Sequence, residues 1–347
     1  MADKNKVPSA QSSKSAKWWQ KGLRILVIIL GTILGLIFLL LFIGQIRPLQ
    51  LNQLKVSPQP ITNWDEANVK AQALVQKDKD NPELNPDCAT RYLSQGKKVE
   101  RVLVIRHGLT NCPRQFDELA REYYNRGYNV LITRIPKHGL KDRKSPVAAT
   151  LTAQEALANF SNSIDIAHGL GEKIDLLGLS VGANEVAEMA VQRDDINQAT
   201  MINPFFGIKS VPPLFTRSVC GIMLTLPNVF MWWDNAAKEN LAGPTSAYYG
   251  FYTHVIGQYL RMTIDLERGN RPLQAKQPIV ITNGNDDAVN NRQTEQLVRQ
   301  WKRTGAQITT YQFPASDKLN HDLIDPMQPD ANTSISYPKI LELTTGI

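Results

Sequence analysis

Histidine and cysteine are scarce in this chain of 347 residues, which holds five of the first and three of the second. No CxxC pair and no His/Cys cluster occurs, so the sequence carries no signature of a metal site. Charge is missing from Ile25 to Gly44, twenty consecutive residues rich in Ile and Leu. A helix of that length spans about 30 Å, the thickness of a bilayer core. Also absent is the A-x-A pattern of a removable signal peptide, since Phe42-Ile43-Gly44-Gln45-Ile46-Arg47 stands where it would fall. Finally, the body of the chain lacks an excess of one charge. The net charge is +7, but Lys4, Lys6, Lys14, Lys17, Lys21 and Arg24 against Asp3 place +5 of it in residues 1–24. The near-neutral remainder argues against a nucleic-acid partner.

What is there begins with the apolar run, read as an uncleaved membrane anchor. Five basic residues lie upstream from Lys6 to Arg24, whereas Arg47 and Lys55 are the only two soon after the span. The positive-inside rule then keeps the N-terminus in the cytosol and puts residues 45–347 on the extracytoplasmic side. Cys88 and Cys112 flank the first core strand and could pair in such an oxidising compartment, with Cys220 left free. The expected organisation is a basic cytosolic tail over 1–24, the anchor over 25–44 and a Pro/Asn-rich tether over 45–97. One short helix, Asp65 to Gln76, fits within the tether. A core over 98–203 and 272–347 follows, interrupted by an insertion over 204–271.

The core reads as alternating strands and helices. Val102 to Ile105, Asn129 to Ile135, Ile174 to Leu177, Ala199 to Ile202, Pro278 to Thr282 and Gln307 to Phe313 are the strands. Phe116 to Tyr124, Thr152 to Leu170 and Ala183 to Gln192 are the clearest helices. Continuous apolar strands separated by helical runs argue for a mostly parallel sheet with helices on both faces. Between Pro204 and Arg271 no convincing strand occurs. Eleven of the chain's 26 aromatic residues fall between Phe205 and Tyr259. An insertion this apolar must bury itself, and a helical cap over the sheet's C-terminal edge is expected. Most of its aromatics form the cap's own core, and some line an apolar pocket.

Gly178-Leu179-Ser180-Val181-Gly182 sits where the third strand meets a helix. By composition a G-x-S-x-G pentapeptide arises in a chain this long about one time in ten, so its strand-turn-helix context gives it weight. Such a turn presents a serine above the sheet edge, as a nucleophile requires. A serine needs an imidazole to take its proton. Of His107, His138, His168, His254 and His321, only His321 follows the last strand on a loop able to swing over Ser180. The carboxylate that orients the imidazole is expected in Asn283-Gly284-Asn285-Asp286-Asp287-Ala288-Val289, after the strand Pro278 to Thr282. Asp287 is preferred because it lies three residues past the glycine and just before Val289, with Asp286 as the alternative. For a developing oxyanion, the donors are the N–H of Val181 and, from the loop Arg106-His107-Gly108-Leu109-Thr110-Asn111, that of Leu109. His107 reads as a brace for that loop.

The order Ser180, Asp287, His321 is that of α/β-hydrolases. The stretch Val102 to Thr110 resembles the first strand and HG loop of bacterial carboxylesterases and monoacylglycerol-lipase-like enzymes. Gly127 to Leu131 through Pro136-Lys137-His138-Gly139 is similar to their next strand and P-G-H-G loop. The likeness runs from about residue 99 to 325 and is weakest across the insertion. It implies an α/β-hydrolase fold with a helical cap, Ser180, Asp287 and His321 as a triad, and Leu109 and Val181 as oxyanion donors. Lys137 in place of a glycine, and Arg106 before the HG loop, depart from the pattern. Lys137 is expected to put a cation near the mouth of the site.

The expectation is a membrane-tethered serine hydrolase acting on a small-molecule or lipid carboxylic ester through an acyl-enzyme, with fatty acyl esters or glycerides favoured. It needs no metal or organic cofactor. A peptidase or thioesterase uses the same parts, and a catalytically silent binding module would keep only the fold.

Overall fold

The sheet is built on strands whose alternate residues face two separate apolar layers. In the strand Val99–Arg106, Val102 and Val104 face one layer, and Leu103 and Ile105 the other. The strand Gly171–Leu179 repeats this, with Ile174 and Leu176 opposed to Leu177 and Leu179. Period-two side-chain alternation with both faces covered accounts for the unbroken apolar runs. A computed structural model describes residues 12–233, 238–239 and 244–346 of the chain. The first eleven residues of the expected basic tail and eight residues of the insertion lie outside the described residues.

In chain order the strands are β1 (Arg91–Leu93), β2 (Val99–Arg106), β3 (Asn129–Thr133), β4 (Gly171–Leu179), β5 (Ile196–Ile202), β6 (Phe230–Trp232), β7 (Gly250–Tyr252), β8 (Gln277–Asn283) and β9 (Thr309–Phe313). The helices described are α1 (Ser12–Ile46), α2 (Trp64–Lys79), α3 (Asp117–Asn125), α4 (Ala153–Leu170), α5 (Val181–Gln192), α6 (Thr216–Thr225), α7 (Thr253–Glu267), α8 (Asn291–Arg303) and α9 (Thr333–Thr345). Seven strands form the main sheet in the order β1-β3-β2-β4-β5-β8-β9, parallel except for β1 at the edge. Strand order reverses at β2, whose neighbours β3 and β4 both follow it in sequence. The crevice at the carboxyl ends of β2 and β4 is therefore the topological switch point, where open α/β sheets bind ligands.

Helices α4, α5, α7 and α8 pack on one face with Phe160, Phe206, Tyr259 and Trp301. On the other face lie α3 and α9, around Phe116, Tyr123 and Phe313. Helix α4 is capped at Thr152, whose side chain accepts the N–H of Glu155.

Two features differ from the sequence reading. The stretch expected as a tether is folded onto the body. Helix α2 lays Ala67 so close to Gly169 of α4 that a Cβ there would stand 2.4 Å from the alanine's. Strand β1 joins the sheet, and Cys88 pairs with Cys112 across a Cα separation of 5.2 Å. The insertion carries a two-stranded antiparallel sheet, β6 with β7, where only helices were expected. Its strands are three residues long and aromatic, with Phe230 against Trp232 and Tyr252 edge to face, too short for a periodic signal to register.

Among the described residues one helix, Trp19–Ile46, is long and apolar enough to cross a membrane. Its flank is bare, with Leu34 64 % and Phe38 71 % exposed.

Candidate active site

Strand β4 ends at Leu179, and α5 starts at Val181. The residue between them, Ser180, takes φ 58° and ψ −118°. That conformation costs a residue with a Cβ on the order of 1–3 kcal/mol and is held by its surroundings. Ser180 donates its N–H to Ile202 at 3.0 Å, and its carbonyl accepts from Phe205 and Asn184. The flanking glycines are steric requirements. A Cβ on Gly178 would lie 2.4 Å from the carbonyl carbon of Gly182, and one on Gly182 would lie 2.3 Å from the carbonyl oxygen of Arg106. The turn can lie against the end of β2 only because both positions lack side chains.

Ser180 and His321 line one cavity of about 550 Å³ at this crevice. His321 Nδ1 donates to Asp286 Oδ2 at 2.8 Å. The other ring nitrogen, Nε2, is buried without a partner among the described residues. Burial opposes charge on the imidazole, but the Asp286 carboxylate and its hydrogen bond raise the His321 pKa above 6.5. For Asp286 burial pushes upward, yet His321 and the backbone N–H groups of Val289 and Ala288 bring its pKa below 3.8.

The carboxylate that meets His321 is thus Asp286, one residue before the one preferred from sequence. Asp286 Oδ1 accepts the N–H groups of Ala288 at 2.9 Å and Val289 at 3.0 Å, which turns its carboxylate inward. Asp287 falls on the outside of that turn, exposed, at the cavity wall. Spacing from Gly284 cannot reveal which of two adjacent side chains a loop turns inward.

Leu109 and Val181 both line the cavity, and among the described residues neither N–H has an acceptor. The loop that carries Leu109 passes close to Ser180, since a Cβ on Gly108 would lie 3.8 Å from Ser180 Cβ. Gln115 Oε1 holds the Gly108 N–H at 3.0 Å. His107 spans two strand ends, with Nδ1 donating to the Gly108 carbonyl at 2.7 Å and Nε2 accepting from the Ile135 N–H at 2.9 Å. Burial lowers its pKa far below 6.5, so it stays neutral and braces the loop.

The remaining histidines are engaged elsewhere. His138 bonds the Pro136 carbonyl, and burial lowers its pKa to about 4. His168 pairs with Asp195 at 2.8 Å, and His254 bonds the Leu226 carbonyl inside the cap.

Both departures from the family pattern are structural. Lys137 adopts φ 63°, a conformation that favours glycine. Its ammonium pairs with Glu155 at 2.7 Å and the Thr150 carbonyl, and it is not among the cavity's lining residues. Lys137 therefore does not supply the cation expected at the mouth, and the cation that lines the cavity among the described residues is Lys209. Arg106 is wholly buried, bonded to Glu185, Asn159 and the carbonyls of Arg134 and Ala156.

Several residues had no readable signal. Asn203 and Asn283 donate to the carbonyls of His321 and Leu319, fixing the loop that carries the imidazole. Lys209 Nζ bonds the Asp286 carbonyl at 2.5 Å. Asp322 lines the cavity beside His321 and accepts from Gln328 at 2.8 Å. Burial raises its pKa to about 6. Met223, Met231, Trp232, Trp233, Phe251 and Ile256 from the insertion form the apolar wall.

No family model and no curated protein matches the sequence. Solved structures do match its fold. One comes from work on the metagenome-derived lipolytic enzymes LipS and LipT, with a TM-score of 0.58 and 16% identity over 76% of this chain and 100% of that one. A soluble variant of monoglyceride lipase from Saccharomyces cerevisiae, solved with a substrate analogue, gives a TM-score of 0.55 and 12% identity, covering 74% of this chain and 91% of its own. The monoacylglycerol lipase of Paleococcus ferrophilus gives 0.54 and 17%, covering 74% and 98%. The architecture is the α/β-hydrolase fold, preceded by an N-terminal apolar helix.

Proposed function

We propose that the chain is a membrane-anchored serine hydrolase that cleaves carboxylic esters, with Ser180 as nucleophile, His321 as base and Asp286 as the residue that orients the base. The observation that carries this reading is the pairing of His321 Nδ1 with Asp286 while Nε2, at the cavity that Ser180 lines, has no partner among the described residues. A proton on Nδ1 leaves Nε2 as the acceptor for the serine proton, and the ionised Asp286 stabilises the imidazolium that forms.

The sequence of steps follows from that polarity. Ser180 Oγ adds to the ester carbonyl as Nε2 takes its proton, and the oxyanion meets the N–H groups of Leu109 and Val181. The imidazolium then protonates the departing alkoxide, leaving an acyl-serine. Water, deprotonated by the same nitrogen, adds to that acyl group, and collapse releases the acid and restores the serine. Each oxyanion donor of this kind is worth about 3–4 kcal/mol of transition-state stabilisation.

A fatty acyl chain fits the wall formed by Met223, Met231, Trp232, Trp233 and Phe251. The relatives of similar fold named as monoglyceride lipases favour glycerides among such esters. The apolar helix Trp19–Ile46, with its charge-free core, supports anchoring with residues 45–347 on the extracytoplasmic side. The Cys88–Cys112 bond suits that compartment.

Ser180→Ala tests the reading. Turnover of p-nitrophenyl esters and labelling by a fluorophosphonate probe should both vanish with the fold intact. Retained turnover would place the chemistry elsewhere, and an unlabelled wild-type chain would point to a silent binding module.

A further inference from the structure

The apolar helix does not end free of the body. Its last turn lies on α6 of the insertion at a contact with no room for side chains. A Cβ on Gly44 would stand 2.1 Å from the Ser218 carbonyl oxygen, and one on Gly221 would stand 2.0 Å from the Gly44 carbonyl oxygen. Polar bonds lock the same contact. Arg217 donates to the carbonyls of Gln45 and Arg47, Ser218 donates to the Gln45 side chain at 3.0 Å, and Arg47 donates to Thr225. Two helices pinned by paired glycines and four such bonds form a rigid joint, whereas a tether would leave the body free to tumble.

The joint sits at a defined depth. Crossing a core of about 30 Å takes about twenty helical residues. Counted from Arg24, the crossing ends near Gly44, so α6 lies at the level of the lipid headgroups. Helix α6 has ten residues and is about 15 Å long. Leu214 and Phe215 precede it, and Leu226 and Val229 follow it, exposed at 82 %, 38 %, 45 % and 52 %. They flank the point where the span docks. Met231 and Trp233 extend the exposed patch, and both also line the cavity that holds Ser180. Met223, on α6 itself, lines that cavity too. The patch therefore reaches the rim of the cavity that holds Ser180 at Met231 and Trp233.

We infer that the span and α6 together lay this rim into the surface of the same bilayer the chain crosses, so that the partner of the exposed cap patch is a lipid surface and acyl esters enter the cavity from it. The inference rests on the anchor reading above and deepens it. Scattered exposed apolar residues need no partner, but a patch that continues a membrane span and borders an apolar cavity has one within reach.

The test uses the full chain, and its Ser180→Ala form, in phosphatidylcholine vesicles. Leu214→Cys and Val229→Cys carry an environment-sensitive fluorophore, and lipids brominated along the acyl chains act as quencher. Arg121→Cys on α3, across the sheet, is the control, and the parent chain reports any labelling of buried Cys220. Quenching at 214 and 229 but not at 121 is expected, in both the active and Ser180→Ala forms. Gly221→Ala should weaken that quenching and lower the ratio of vesicle-borne to water-soluble ester turnover. A chain that stays integrated in the vesicles with labels at 214 and 229 unquenched overturns the inference alone. A chain stripped from vesicles by alkaline carbonate overturns the anchor reading and the inference with it. Quenching in a chain that never turns over ester leaves the docking standing and overturns the proposed chemistry instead.

Discussion

Arg106 and Glu185 form an ion pair at 2.6 Å with both side chains completely removed from solvent. The second Glu185 oxygen accepts from Tyr259 at 2.8 Å. This pair ties the end of β2 to the first turns of α5, and so ties the loop that carries Leu109 to the turn that carries Ser180. Removing one partner leaves the other buried and unpaired, at a cost of about 3–5 kcal/mol. Glu185→Ala should therefore lower the denaturant midpoint sharply in detergent-solubilised protein. A midpoint near that of the parent would show that water or relaxation satisfies Arg106.

The two adjacent aspartates differ in placement, Asp286 buried against His321 and Asp287 exposed. Asp286→Asn should leave the fold in place and lower kcat by as much as about ten-thousandfold, the penalty of losing the carboxylate that sets the tautomer. Asp287→Asn, at an exposed position, should change kcat little. Equal losses in the two variants would mean that the loop rearranges on substrate binding.

In the proposed mechanism the imidazole of His321 must be neutral to accept the Ser180 proton. Its pKa is raised above 6.5, mainly by Asp286 acting against burial. Activity should therefore be lost as pH falls through a value above 6.5, giving kcat/KM an acid limb there. In Asp286→Asn the residual activity should carry that limb to lower pH. A limb that stays put would assign it to another group.

Glu188 offers a stability counterpart. It is buried beside Asp265, and desolvation followed by that neighbouring charge raises its pKa to about 8 from 4.5. Between those values the folded chain holds a proton that the unfolded chain has released, so stability declines as pH rises across the window. Glu188→Gln removes this titrating proton. Its melting temperature should fall less over the same range, which differential scanning calorimetry in detergent can read.

The local requirements of the site were written in the sequence. Gly178 and Gly182 announce a turn with no space for a Cβ, and Val102 to Ile105 announces a strand covered on both faces. The charge-free stretch announces a helix long and apolar enough to cross a membrane. These are properties of neighbouring residues, and composition and period express them directly. What lay outside the sequence depended on residues far apart in it. Whether Asp286 or Asp287 turns inward was decided by two backbone N–H groups and by the approach of His321, 35 residues on. The short β6–β7 pair exists because aromatic side chains from two separate stretches of the insertion meet, Phe230 against Tyr252. The seating of Gly44 on Gly221 unites the apolar helix and the insertion, which sequence analysis treats as separate segments. Loop direction and helix docking are settled by which surfaces remain to be filled once the sheet has formed, and no single stretch of chain encodes that.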